Sequence, residues 1–217
     1  MTAIGPPAVG PPAHPPLHRD VEIIERATGF ARFLRIEVIR FRHRLFRGEW
    51  SLPHTYDVLR RGAAVAVVLY DPDHDRVVLV EQLRLPALLA GASPWQLEIV
   101  AGLVAADEPP ERVAVRETRE ETGLALAGEL VPIQRYLPSP GDSDESVWLY
   151  CARVDATVAA GVHGLPEEGE DIRVVVKSMA EVEAMLEAGA IENGHTLLGL
   201  YWLLRHRDRL RRMWGAG

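Results

Sequence analysis

The sequence predicts an α+β protein. Short strand-like runs fill residues 21–100 and recur near 131–136, 146–154 and 171–177, one amphipathic helix lies among them near residue 110, and two more helical segments close the chain. Strands and helices do not alternate strictly, so a doubly wound βαβ sheet is not expected. With 217 residues and 47% apolar side chains, the chain can bury a sizeable core.

Residues 1–20 carry Pro6, Pro7, Pro11, Pro12, Pro15 and Pro16 and few large apolar side chains. Such a stretch cannot offset its ordering entropy and reads as a disordered tail; a polyproline ligand for a partner is the other reading. Residues 21–57 follow as a small antiparallel β-sheet module, with an alternating run at 33–40 and turn signals at Gly48 and Pro53. The main domain spans 58–217. It begins with strands at 63–70 and 76–82, joined by Asp71, Pro72, Asp73, His74 and Asp75, residues that favour a tight turn. A strand at 95–100 leads into a glycine loop. Pro109 and Pro110 then suit a helix start, and Gly123 a helix end, so a helix is expected over about 110–121. After the three later strands, Ser178 and Glu181 have capping-box spacing for a helix to about 188, closed by Gly189. A last helix is expected over about 196–212. No internal repeat is evident.

Charge and cysteine usage exclude several classes. The formal net charge is −7, with 31 acidic against 24 basic side chains, which leaves no footprint for nonspecific DNA or RNA binding. The basic run 205–212 suits the C-terminal end of a helix, where the dipole favours cations. Cys151 is the single cysteine, so no intrachain disulfide exists and a reducing cytoplasm is the expected compartment. No apolar stretch is long enough to span a membrane, and the proline-rich N-terminus does not resemble a signal peptide. The histidines show no zinc-like spacing with Cys151, and His43 and His195 read as surface or packing residues.

The chemistry concentrates in residues 102–124. Glu117, Glu120 and Glu121 stand at i, i+3 and i+4, so their carboxylates share one helix face and repel one another. A hard cation resolves this. Mg2+ prefers oxygen ligands and commonly bridges carboxylates to substrate phosphates, and Mn2+ is an alternative. Val113, Ala114 and Thr118 offer the opposite face for packing, and Arg116 reaches Glu120 at i+4. The plain alternative is a solvated acidic helix face. The spacing argues against it: Gly102, Glu108, Arg116, Glu117, Glu120, Glu121 and Gly123, with Leu124, match every fixed position of the Nudix box, Gly-x5-Glu-x7-Arg-Glu-U-x-Glu-Glu-x-Gly-U. Chance agreement at seven positions is on the order of one in a million. Thr118, at the first aliphatic position, is the one departure.

The chain resembles the Nudix hydrolases, and within them the bacterial ADP-ribose pyrophosphatases. The likeness runs through segments 41–48, 78–84, 137–141 and 168–173, and includes Pro138 beyond the box. It implies a Nudix α/β/α sandwich with the small N-terminal antiparallel sheet attached. It also implies hydrolysis of ADP-ribose to AMP and ribose 5-phosphate, and a homodimer that exchanges N-terminal sheets. By the same resemblance, Glu117, Glu121 and the Ala101 carbonyl are metal ligands, with Glu120 and Glu170 accessory; Glu120 and Arg116, which reaches it at i+4, are expected to be catalytic residues together with Glu168. Glu168 is the implied base, with Glu167 and Glu170 as competitors. The substrate would meet Arg61, Arg84, Leu103, Ser139, Gly141 and Glu145, with Phe33 from a second subunit as adenine platform. Read without the resemblance, Arg61 and Arg84 are surface strand residues and Phe33 a core aromatic. Asp142 replaces a glycine usual in the family, a change at the sugar end. Two other readings stand beside this one: a pyrophosphatase for another nucleoside diphosphate sugar such as GDP-mannose, and a non-catalytic nucleotide sensor.

Overall fold

The computed structural model describes residues 18–32 and 34–215, with Glu168 described by its backbone. Most of the expected disordered tail, 1–17, lies outside the described residues; 18–20 form a turn in which the Val21 amide donates to the His18 carbonyl at 2.9 Å.

Strands β1 (Val21–Ala31), β2 (Arg35–His43) and β3 (His54–Arg60) form an antiparallel sheet in that order. The sequence reading carried a strand through 33–40; in the structure Leu34 lies in the bend between β1 and β2, and Phe33 is outside the described residues. Glu37, buried in the middle of β2, is held by Arg35 at 2.7 Å and Arg60 at 2.5 Å. A carboxylate taken out of water needs such partners. β3 crosses residue 58, and the chain continues directly into the main sheet.

That sheet has eight strands: β4 (Ala63–Asp71), β5 (Arg76–Leu83), β6 (Trp95–Glu98), β7 (Val100–Leu103), β8 (Val131–Tyr136), β9 (Ser146–Arg153), β10 (Val162–His163) and β11 (Ile172–Ser178). Among the described residues four α-helices accompany it: α1 (Leu85–Leu89), α2 (Pro110–Thr122), α3 (Met179–Glu187) and α4 (Gly194–Met213). The path β10-β11-β5-β4-β9-β8 is antiparallel except for the parallel β4–β9 pair. β4 is buried along its whole length, which is why it reads as a continuous apolar run rather than an alternating one. Val65, Val67 and Leu69 pack with Val113 and Ala114 of α2, whereas Ala66, Val68 and Tyr70 pack with Leu200 and Leu203 of α4 and Met179 and Val182 of α3. The result is an α/β/α sandwich. α4 lies close against the sheet: a Cβ on Gly199 would sit 2.6 Å from Val68 Cγ2.

Two expectations need correction. The strand expected over 95–100 divides at Ile99, because β6 adds to β5 while β7 adds to β4. The chain passes from one neighbour to the other, and the Ile99 amide is satisfied by Thr196 Oγ1 at 3.0 Å. Gly102 therefore sits in a strand and not in a loop. Helix α1 was not foreseen; Pro86 fills its first turn, where the missing N–H costs nothing. The Ser178–Glu181 capping box forms as expected, and Gly123 and Gly189 adopt positive φ after their helices.

Candidate active site

α2 presents two faces to two surroundings. Val113, Ala114 and Thr118 are buried against the sheet, and the Thr118 hydroxyl donates to the Ala114 carbonyl at 2.7 Å. Threonine therefore fills the aliphatic position with its polar atom satisfied, and the departure in the box is harmless to packing. The other face carries the glutamates. Arg116 Nη1 lies 2.9 Å from Glu117 Oε1 and 2.9 Å from Glu120 Oε2, while its Nε is 3.4 Å from Glu108. Arg116 thus holds three box carboxylates and not only the i+4 partner expected.

Gly102 faces this cluster across β7. An added Cβ would fall 1.9 Å from Glu117 Oε1, so only a glycine leaves room for that carboxylate. Glu121 is 2% exposed and accepts from the Ala101 amide at 3.4 Å. Burial, reinforced by Glu117 and Glu170, pushes the Glu121 carboxyl up to about 9. Burial also raises Glu117 to about 7; Arg116 opposes this while Glu120 and Glu170 add to it. Both groups are crowded anions with too little positive charge nearby.

Glu170 joins them through the loop after β10. The Gly164 amide donates to the Glu120 carbonyl at 3.1 Å, and the Leu165 amide donates to Glu170 Oε2 at 3.0 Å. Gly164 has φ +101, and a Cβ there would lie 2.7 Å from the Glu170 Cβ, so the loop is pinned onto the end of α2. Glu168 belongs to a short 3-10 turn, Pro166–Glu168, in that same loop.

The oxygen-only donor set suits a hard divalent cation. The carboxylates share one cleft, yet no trio of His, Cys, Asp or Glu among the described residues converges on a single ion position. Arg116 draws Glu117 and Glu120 aside, so ligation requires those side chains to turn inward.

A second polar group lies beyond the carboxylates. Arg84 makes a fork on buried Glu98, with Nη2 at 2.7 Å and Nε at 3.1 Å; Gln82 and Asn193 complete the Glu98 shell at 3.2 and 2.9 Å. Burial would lower the Arg84 guanidinium, but Glu98, Glu121 and Glu170 hold it above its usual value, which places it beside the carboxylate cleft. Arg61 Nε stands 3.5 Å from Glu145. Asp144 accepts from the amides of Arg61 at 2.7 Å and Gly62 at 3.3 Å and from Arg60 Nε at 2.6 Å, tying the 139–145 loop to the β3–β4 junction. Ser139 donates to Asp142 within this loop. Asp142 does not need a positive φ, so aspartate replaces glycine there without strain. Gly141 is exposed, and Leu103 is half-exposed at the end of β7.

The structure therefore brings Ala101, Glu117, Glu120, Glu121, Glu170 and Arg116 together, with Arg84 adjoining, and gathers Arg61, Ser139, Gly141 and Glu145 around one loop. Phe33 lies outside the described residues. Sequence reasoning missed Glu98, Asp144 and Asn193, whose partners are far away in the chain. It also set aside His195, which pairs with Tyr136 and lies two residues beyond Asn193, a partner of Glu98.

A family model described as the NUDIX domain matches residues 60–197, the span that holds all of these groups except Phe33. The chain belongs to the Nudix family. Nudix hydrolases generally use a divalent metal, in keeping with the oxygen donors on α2. This Nudix chain is 41% identical over 195 residues to the ADP-ribose pyrophosphatase of Escherichia coli, covering 90% of the chain and 93% of the relative. It is 39% identical over 199 residues to the ADP-ribose pyrophosphatase of Haemophilus influenzae, covering 90% and 91%. The GDP-mannose pyrophosphatase of Citrobacter koseri is 33% identical over 151 residues, covering 69% and 78%. A crystal structure of an ADP compounds hydrolase superposes with a TM-score of 0.66 at 19% identity, covering 87% of this chain and 96% of that one, and shares the fold. Among the described residues no helix is long and apolar enough to cross a membrane.

Proposed function

We propose that this Nudix chain is a magnesium-dependent pyrophosphatase that hydrolyses ADP-ribose to AMP and ribose 5-phosphate, as a homodimer in the cytoplasm. The observation that carries the reading is coverage: likeness to ADP-ribose pyrophosphatases spans 90% of the chain, against 69% for the GDP-mannose enzyme. The box activates phosphates and is blind to the sugar, so this wider agreement bears on the substrate.

In this reading Glu117, Glu121 and the Ala101 carbonyl hold the metal, with Glu120 and Glu170 as accessory ligands; Mn2+ suits the same oxygens. When bound, the cation supplies positive charge against the pyrophosphate oxygens. Arg116 anchors the helix face from which the glutamates reach. Glu168 takes a proton from the attacking water, and the turn that carries it closes on the end of α2. Arg84, already oriented by Glu98, offers its remaining Nη1 to a phosphate oxygen. Leu103 supplies an apolar contact at the mouth of the cleft. Arg61, Ser139, Gly141 and Glu145 line the terminal ribose, and Phe33 of the partner subunit stacks on the adenine. The N-terminal sheet leaves Ile24, Phe30 and Tyr56 exposed, apolar surface that an exchanged sheet would cover.

The test is hydrolysis of ADP-ribose, GDP-mannose, UDP-glucose, NADH and a dinucleoside polyphosphate with Mg2+, with products identified. We expect ADP-ribose to dominate, yielding AMP, and both Glu121→Gln and Glu168→Gln to collapse the rate. Preference for another sugar nucleotide would move specificity within the same chemistry. Binding without turnover would instead make the chain a sensor.

A further inference from the structure

The cleft holds a pair that none of these roles uses. Tyr136, at the end of β8, and His195, in the first turn of α4, are brought together from 59 residues apart, with ring centroids 5.8 Å apart and the Tyr136 hydroxyl bonded to His195 Nδ1. We assign the proton of this bond to the Tyr136 hydroxyl, with Nδ1 accepting. The neutral imidazole must then carry its own proton on Nε2. Burial, strengthened by the charge of Glu145, keeps the Tyr136 hydroxyl protonated, and burial likewise holds His195 below the usual histidine range despite Glu145 and Glu98. Both effects favour this one tautomer. Nε2 has no partner among the described residues and is not sealed from solvent. Asn193, two residues before His195, donates to Glu98 at 2.9 Å, and Tyr136 pairs with Val147, two residues beyond Glu145, so the ring lies near both the Arg84–Glu98 fork and the Arg61–Glu145 pair.

We propose that His195, with its tautomer fixed by Tyr136, is a specificity-determining residue whose Nε2–H donates to a hydroxyl of the substrate's terminal sugar. The inference rests on the proposed sugar-nucleotide activity and adds a donor that this activity does not require in general. A neutral donor suits a sugar hydroxyl, which offers an uncharged acceptor, and Glu145 beside it accepts from a neighbouring hydroxyl. Together they read a diol, so the pair discriminates between sugars and leaves the phosphate chemistry untouched.

The experiment measures kcat and KM with Mg2+ on ADP-ribose and on ADP-glucose for the wild type and for His195→Ala, His195→Gln and Tyr136→Phe, with melting temperatures as a folding control. The expected result is a KM for ADP-ribose raised about tenfold by His195→Ala at nearly constant kcat, the loss of one neutral hydrogen bond. The preference for ADP-ribose over ADP-glucose falls by a similar factor. Gln, whose amide can reach the Nε2 position, restores most of the affinity, and Tyr136→Phe gives a smaller rise. An unchanged KM and sugar preference in His195→Ala would overturn the proposal, as would an equal loss on both sugars that tracks a lower melting temperature. Wild type inactive on both sugars would instead refute the activity itself. In that case calorimetric binding of ADP-ribose to wild type and His195→Ala decides the role of His195, equal affinities overturning it.

Discussion

The carboxylates of Glu117 and Glu121 on α2 and that of Asp144 at the β3–β4 junction are partly or wholly withdrawn from water and are treated in opposite ways. On α2, Glu117 and Glu121 are raised to about 7 and about 9 because burial, and then neighbouring carboxylates (Glu120 and Glu170 for the first, Glu117 and Glu170 for the second), disfavour the anions. At the β3–β4 junction, burial also works against the Asp144 anion, yet the Arg61 and Gly62 amides and the Arg60 guanidinium hold Asp144 below the usual aspartate range. The scaffold compensates the carboxylate that shapes the loop and leaves only partly compensated the carboxylates on α2, which the proposed reading turns toward the substrate phosphates. Unsatisfied charge of this kind is what a cation site costs before the cation arrives.

Changes on the α2 side should cost activity without stability. Glu121→Gln should lower kcat roughly 10²–10³-fold while raising the melting temperature of the metal-free chain near neutral pH, because a buried carboxyl that must take up a proton to fold is replaced by a group that is neutral in both states. Steady-state kinetics and calorimetric melting read the two effects together; a stability loss would break the comparison. Gly102→Ala should follow with about a 10–100-fold loss in kcat, since the new methyl displaces the Glu117 carboxylate, the flexible end of a long side chain, at little cost in stability.

The loop side should show the reverse. Asp144→Ala strands Arg60 and two amides, and should destabilise the fold by about 2–3 kcal/mol in urea unfolding. The pH dependence separates the regions most finely. Glu121 and Glu117 have folded values above their unfolded ones, so the native state binds extra protons between about 4.5 and about 9, and their contribution to stability is lost as pH rises through that window. Asp144 is shifted downward, so its contribution is present above its unfolded value and is lost as pH falls through the folded one. Urea unfolding of the metal-free chain should therefore give a midpoint that declines from pH 5 to pH 8, with a shallower decline in Glu121→Gln.

What was legible in the sequence follows the same division. α2, its closing Gly123 and the Ser178 capping box are decided by residues within one or two turns, and each stands where its local pattern put it. The carboxylate face was readable for the same reason, since i, i+3 and i+4 need no tertiary information. The division of 95–103 between two partner strands was not, because nothing in that segment says that β5 and β4 compete for it. Nor was the fork of Arg84 on Glu98, 14 residues away, or the meeting of Tyr136 with His195, 59 residues away. A lone histidine beside an asparagine cap gives no sign of its partner until the sheet brings β8 to the start of α4.

The most direct test of the central claim is calorimetric titration of Mg2+ into the metal-free chain and into Glu121→Gln at fixed pH. Saturable binding by the wild type that the variant loses by at least tenfold is the predicted result. Equal binding by both, or none by either, would contradict the account of α2 as a carboxylate face held ready for a cation.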